Sequence, residues 1–287
     1  MTSQRLTLTY AHCTDNGRAR THNEDCIVVD AALGLALVAD GMGGYNAGEI
    51  ASSMAAELIS ASITVNAAHG SAALDHETER QHLLHKAIHI ANERILAAAQ
   101  STAACNGMGT TLVLALFSKD QVTIAHIGDS RAYRLREGKL EQLTQDHTLL
   151  QQQLQAGLLK NEQASKANNR HWLTRALGVM PQVAADMREE KLQTGDRYLL
   201  CSDGLSDHVP LLKLQDILSH SGTTQAEQCR LLIAAANQHG GDDNISVVLI
   251  SVRENRSVWQ VWQAWLGKAK LQITKIQKGA KLPPAKH

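Results

Sequence analysis

The sequence predicts an α+β sandwich, with two antiparallel sheets face to face and helical layers outside them, and three observations carry that expectation. Short runs rich in β-branched residues recur, some joined by connections as brief as "SKD" (118–120), which makes neighbouring runs antiparallel hairpin partners. Two long helical periodicities stand together in the first half rather than between successive runs. The order of strands, two helices, strands, then a helix before a last strand lacks the alternation of a parallel βαβ series.

Taken in order, strands are expected at 6–12, 25–30, 35–40, 110–118, 121–127, 131–136, 186–192, 197–202 and 245–252, runs that are rich in β-branched residues or bounded by Gly and Asp. Helices are expected at 47–66, 80–103, 146–157 and 225–239, where Ala, Leu and Ile recur at helical spacing behind capping-type residues. Residues 158–185, with Asn168, Asn169 and Pro181, read as a looser insertion, so 146–185 forms a candidate flap.

Composition narrows the class. At 287 residues the chain can be one large domain, and 44% hydrophobic residues suffice for a sizeable core. Aromatics are only 3%, so aliphatic side chains must do the packing. No apolar stretch approaches the roughly 18 residues of a membrane span, and "MTSQRLTLTY" lacks a secretory leader's basic and apolar regions, so a cytoplasmic location is expected. Cys13, Cys26, Cys105, Cys201 and Cys229 are scattered and never spaced as CxxC, which reads as small buried hydrophobes rather than disulfides or zinc ligands.

A formal charge of zero conceals an asymmetry. Residues 253–287 hold eight Lys or Arg against the single acid Glu254, leaving 20 basic against 27 acidic residues in 1–252. An acidic body argues against a nucleic-acid binder. The basic tail carries three of the four tryptophans, and Val258, Trp262, Trp265 and Ala269 share one helical face. Such a segment suits a C-terminal helix docked on the domain, or contact with an anionic membrane or a protein partner.

The chemistry is announced by a repeated phrase. "GLALVADGMGG" (34–44), "VTIAHIGDSRAY" (122–133) and "DRYLLCSDGL" (196–205) each run from apolar residues into an aspartate, Asp40, Asp129 and Asp203; "GGDDNISVVLIS" (240–251) puts Asp242 and Asp243 before its run. In antiparallel sheets such ends and beginnings gather at one edge. Short carboxylates on rigid strand ends suit hard divalent cations, and a following glycine such as Gly41 leaves its carbonyl free to approach one. The plainer alternatives are turns, an Asp129–Arg131 ion pair, and Asp242 as a cap beside Asp243. In "GRARTHNEDCIVVD" (17–30), Arg20 precedes Glu24 and Asp25; a guanidinium fork fits two phosphate oxygens, although a surface salt bridge has the same pattern.

"RTHNED", "VADGMGG", "GMGTTLVLAL", "IGDSRAY", "LTQDHTL", "GDRYLLCSDGLSD" and "GGDDNISVVLI", in this order, resemble the signature motifs of bacterial metal-dependent Ser/Thr protein phosphatases of the PPM (2C) type. The resemblance spans about residues 6–252 and implies a four-layer α-β-β-α sandwich over 1–252 with two Mn²⁺ or Mg²⁺ ions at one edge of its central sheets, and a third bound more weakly. It implies that Asp40 bridges both metals, that Gly41 lends its carbonyl, that Asp203 and Asp243 complete one shell, and that Asp129 serves the third. Arg20 would clamp the phosphoryl group while Glu24 and Asp25 order water at the metals, and the segment after "LTQDHT" would meet substrate. Implied partners are phosphorylated proteins and a cognate Ser/Thr kinase; a silent phosphoprotein- or kinase-binding scaffold is the rival reading.

One departure concerns the leaving-group proton. Eukaryotic relatives carry a histidine where this chain has Met42, and a thioether cannot donate a proton. His147 in "QDHT" is an alternative, though it reads as a solvated loop residue. His82, His85 and His89 share a helix face and read as a solvated face rather than a metal site. Ser130, Ser202 and Ser206 lack a GxSxG elbow, so no nucleophilic role is expected of them.

Overall fold

The computed structural model describes residues 6–44, 47–68, 76–159 and 171–255. Leu8–Arg253 form one compact unit. A second comprises Met1–Thr7 with Glu254–His287, of which residues 6, 7, 254 and 255 are described. The tryptophan-bearing stretch 256–287 and residues 160–170 of the expected flap lie outside the described residues.

The strands are β1 (Leu6–Asp15), β2 (Asp25–Asp30), β3 (Leu35–Met42), β4 (Gly109–Thr110), β5 (Leu112–Ser118), β6 (Gln121–Ile127), β7 (Arg131–Arg136), β8 (Lys139–Gln142), β9 (Asp186–Lys191), β10 (Arg197–Cys201) and β11 (Ile245–Glu254). The helices are α1 (Ala47–Ala68), α2 (Glu77–Ser101), α3 (Leu149–Gln155), α4 (Asp203–Ser206), α5 (Leu211–Ser219) and α6 (Gln225–Gln238). One sheet runs β1-β11-β10-β7-β8; the other runs β2-β3-β5-β6-β9, with β4 paired to β3. Pairing is antiparallel from β11 through β10 and β7 to β8, and throughout the second sheet.

Strand periodicity decides which side chains go where. On β3 and β5, Leu35, Leu37, Ala39, Leu112, Leu114 and Leu116 pack against α1 and α2. On β10 and β11, Leu199, Cys201, Val247 and Leu249 pack against α5 and α6. The alternate residues, among them Ala36, Val38, Val113, Leu200, Val248 and Ile250, are buried outside both of those cores, in the layer between the sheets. There the sole phenylalanine, Phe117, meets Tyr198 edge-on across the sheets with ring centroids 5.5 Å apart. Arg80 of α2, fully buried, holds that helix to the sheet through Thr123, Gln121 and Glu189.

All nine expected strands form, and β4, β8, α4 and α5 add to them. The strand β8 has one buried residue, Leu140, too little for an alternation to register. The helix α5 was legible: Pro210 stands at its N-cap and Leu214, Ile217 and Leu218 follow at helical spacing. The helix expected at 146–157 starts three residues later, because Thr148 caps it by accepting from the Gln151 amide. Among the described residues no helix is long and apolar enough to cross a membrane, and all five cysteines are free, with Cys201 and Cys229 buried and the other three half-buried.

Candidate metal centre

The face between the sheets turns from apolar to acidic at one end. Asp40 continues the parity of Ala36 and Val38, and Asp25 sits directly opposite it in the β2–β3 register. From the other sheet, Asp203 starts α4 two residues beyond β10, and Asp243 lies two residues before β11. Asp129 follows β6 at the same edge. Asp40, Asp129, Asp203 and Asp243 line one cavity of ≈ 540 Å³, together with Arg20, Glu24 and Gly41. The strand-end aspartates do meet.

Backbone packing aims each of them. Asp40 is held by the tandem threonines of "GMGTT": its amide donates to Thr111 Oγ1 (3.1 Å), and its carbonyl accepts from the Thr111 amide (2.8 Å) and Thr110 Oγ1 (2.9 Å). Gly41 donates its amide to the Glu24 carbonyl (3.1 Å), and any Cβ there would overlap the Gly48 carbonyl at the start of α1. Glycine is therefore required by the close approach of helix to strand. Gly17, at φ 76°, lays the Arg20 loop against Asp243, and the Arg18 amide bonds the Gly241 carbonyl at 2.6 Å. Asn244 ties these loops together, accepting from the Glu24 amide (2.8 Å) and donating to the carbonyls of Asn16 and His22.

Electrostatics set this cluster apart. Burial, then the charges of Asp25, Asp203, Asp129 and Asp243, hold the Asp40 carboxyl well above the usual carboxylate range. Burial and the neighbouring acids, Asp203 first, push Asp129 up likewise. Burial raises Asp203 to about 6, helped by Asp207 and Asp243 and opposed by a hydrogen bond with the Asp40 side chain. Asp25 rises to about 7 through burial, although the hydroxyls of Ser246 and Ser202 stabilise its charge, the latter from 2.8 Å. Burial also raises Glu24, with Arg20 and the Gly48 amide pulling the other way.

Like charges gathered out of water repel one another unless a cation or a proton intervenes. Arg20 supplies part of that, its Nη2 lying 2.9 Å from Asp243 Oδ2, but its side chain is 49% exposed at the rim. Asp203 Oδ1 and Asp25 Oδ1 are buried without any hydrogen-bond partner. Clustered hard oxygen donors with orphaned lone pairs fit divalent cations such as Mn²⁺ and Mg²⁺.

The alternatives left open by sequence resolve. Arg131 grips Asp146 through two nitrogens and reaches Asp207 at 3.8 Å, so Asp129 is not its partner. Asp242 is 77% exposed beside His208, while Asp243 enters the cavity. Ser130 bonds Thr111 and Ser202 bonds Asp25; both buttress acids. His82, His85 and His89 are exposed on α2.

His147 departs from expectation. It is buried, not solvated: its ring stacks on His126 at 4.6 Å, and its Nδ1 accepts from the Gly128 amide. Burial and the neighbouring His126 lower its pKa. His126, His147 and Asp186 offer ligand-type atoms within 4.8 Å of one another, yet Arg175 Nη1 already sits 3.2 Å from His147 Nε2. A second trio, His171, Asp203 and Asp207, extends the acidic cluster towards the cavity wall. Sequence reasoning missed His171, Asp207, Thr111 and Asn244; "GMGTT" and "DDNIS" were quoted without roles for the last two.

Residues 13–237 match the family described as protein phosphatase 2C. The chain belongs to this protein phosphatase 2C family. It is 42% identical to the serine/threonine phosphatase stp of Listeria welshimeri over 240 residues, covering 83% of this chain and 93% of that protein. The structure of the Mycobacterium tuberculosis serine/threonine phosphatase PstP/Ppp superposes with a TM-score of 0.77 at 35% identity, covering 86% of this chain and 99% of that one. A second structure, the catalytic domain of PstP in complex with two manganese ions, gives 0.75 at 35% identity over 87% of this chain and all of the other. As a protein phosphatase 2C, the chain carries its acids where the two sheets converge.

Proposed function

We propose that this chain is a metal-dependent protein phosphatase that hydrolyses phosphoserine and phosphothreonine on proteins. The observation that carries this reading is the set of uncompensated carboxylates in one cavity with a single guanidinium at its rim. Asp40, Asp203 and Asp243, together with the Gly41 carbonyl, would hold two Mn²⁺ or Mg²⁺ ions, and Asp129 would serve a third. When bound, the ions supply an acidified water as nucleophile and neutralise phosphoryl charge.

The chain's own groups do the rest. Arg20 has five N–H donors, enough to keep Asp243 and present a second edge to phosphoryl oxygens. Glu24, facing the cavity with a raised pKa, and Asp25 behind it orient water through their carboxyls. His147 is too enclosed to protonate a leaving alkoxide, and of the two histidines only His171 lines the cavity. The proposed substrates are phosphoproteins of the bacterial cytoplasm, modified by a Ser/Thr kinase that this chain opposes. The silent-scaffold reading is weaker, because the full acid set is present.

The test is Mn²⁺-dependent hydrolysis by the full chain of a phosphothreonine peptide, an aryl phosphate and an aryl phosphodiester. Both monoesters should turn over, the diester should not, and EDTA should abolish release. Peptide binding without turnover would favour the scaffold, and a diester preference would overturn the phosphatase reading.

A further inference from the structure

A second hollow of ≈ 270 Å³ adjoins the carboxylate cavity, with Met42 and Leu173 common to both. Its own lining is mostly apolar, including Ala176, Val179, Met180 and Val183, and it contains no carboxylate. Val179 and Met180 are 47% and 60% exposed, an unusual expense of apolar surface beside a polar site.

The hollow is built, not incidental. Asn92 of α2, fully buried, donates to the carbonyls of Met180 (2.9 Å) and Pro181 (3.3 Å) and accepts from the Gly178 amide (2.8 Å). Leu177 exchanges both backbone hydrogen bonds with Thr110, whose hydroxyl also donates to the Asp40 carbonyl. A Cβ on Gly109 would lie 2.8 Å from Met42 Cε and 2.9 Å from Val179 Cγ2, so that glycine lets the two side chains converge. The loop and the catalytic strand are thus one rigid piece, with Met42 as the partition between the hollows.

We infer that this hollow receives a large aliphatic side chain of the substrate polypeptide, flanking the phosphorylated residue. The inference rests on the phosphatase reading. The volume falls below the roughly 300–1,000 Å³ of small-molecule sites and suits a side chain. A partition one side chain thick separates positions two or three residues apart in an extended peptide, at about 3.3 Å per residue. Met42, which cannot act as an acid, has a use here: a flexible thioether wall adapts to differing apolar side chains. The occupant is neutral, since Arg175, the cation of the lining, is paired with Asp186 at 2.7 Å.

The experiment measures kcat/KM of the Mn²⁺-loaded full chain on phosphothreonine peptides with Ala at every flanking position, replaced by Leu one position at a time from −3 to +3. At one position Leu should raise kcat/KM about ten-fold, mainly through KM. Val179→Asp and Met180→Gln should each erase that gain while leaving hydrolysis of an aryl phosphate, which has no flank, unchanged. A flat series in the unmodified chain, or a Leu preference that survives both variants, would overturn the inference. Should Val179→Asp also lower aryl phosphate turnover, the exposed Met180→Gln decides. Failure to hydrolyse the aryl phosphate at all would count against the phosphatase reading itself.

Discussion

The two ends of the layer between the sheets use the same residue types to opposite effect. At the far end Arg134 bonds Glu190 and Glu141, Arg188 bonds Glu190 and Glu141, and Arg136 grips Asp196 with two nitrogens. At the near end Asp40, Asp129, Asp203 and Asp243 line one cavity with a half-exposed Arg20 that pairs with Asp243, and Asp25 faces Asp40 across the strand pair. At the far end the Glu141 carboxyl is held low, despite its burial cost, by Arg134 and Arg188, whereas at the near end burial and the facing acids push Asp40 up. The contrast teaches that the near end is not a poorly designed version of the far one. Its acids form the kind of oxygen-donor set that takes divalent cations, and the related PstP catalytic domain is seen in complex with two manganese ions.

The sharpest break of that contrast is neutralisation of one acid at each end. Asp203→Asn or Asp40→Asn should cut Mn²⁺-dependent phosphate release at least about a thousandfold, while folding survives because mutual repulsion is relieved. Glu190→Gln should leave kcat unchanged and lower stability by about 2–3 kcal/mol, since two guanidinium partners lose their charge-assisted bonds. Phosphate release assays and denaturant melts read the two outcomes. Near-normal turnover in Asp203→Asn would sink the assignment of the near end.

How far this was legible differs by kind of contact. The acids Asp40, Asp129, Asp203 and Asp243 could be read because each stands in the same local phrase, an apolar run meeting an aspartate. Antiparallel order then forces them to one edge. The groups that aim them could not: Thr111 reaches Asp40, Ser202 reaches Asp25 across the two sheets, and Asn244 reaches Glu24 from 220 positions away. Local pattern carries no register between sheets. The error over His147 has the same origin, because "QDHT" looks like a polar turn until His126 and Arg175 close over the ring.

A finer test of the same contrast is the pH dependence of stability without metal. Folding raises the Asp25 and Asp203 carboxyls to about 7 and about 6, so between about pH 4 and 7 the folded chain binds more protons than the unfolded one. Stability contributed by these groups is full below about pH 4 and is lost as pH rises through that window. His147, lowered by burial, works against this trend. Asp25→Asn isolates the carboxyl: between pH 5 and 7 its melts should show a slope shallower than the parent's by up to about 1.4 kcal/mol per pH unit. Glu141→Gln, at the paired end, removes a group already ionised there and should leave the slope alone. An Asp25→Asn slope equal to the parent's would mean that folding places no extra proton on Asp25.

The smallest effect concerns Arg20, the arginine in the lining of the near-end cavity. Arg20 is half exposed and meets Asp243 through a single nitrogen, so the ion pair itself contributes little to stability. Its value lies in the fork. A lysine would keep the charge and still reach Asp243, but it presents a point rather than two parallel donors to a phosphoryl group. Arg20→Lys should therefore leave the melting temperature and Mn²⁺ affinity unchanged while raising KM for phosphothreonine peptides about five-fold, roughly the 1 kcal/mol of one lost hydrogen bond. If metal affinity shifts instead and KM does not, Arg20 is a partner of Asp243 alone. The near end would then differ from the far end only in how many of its acids are paired.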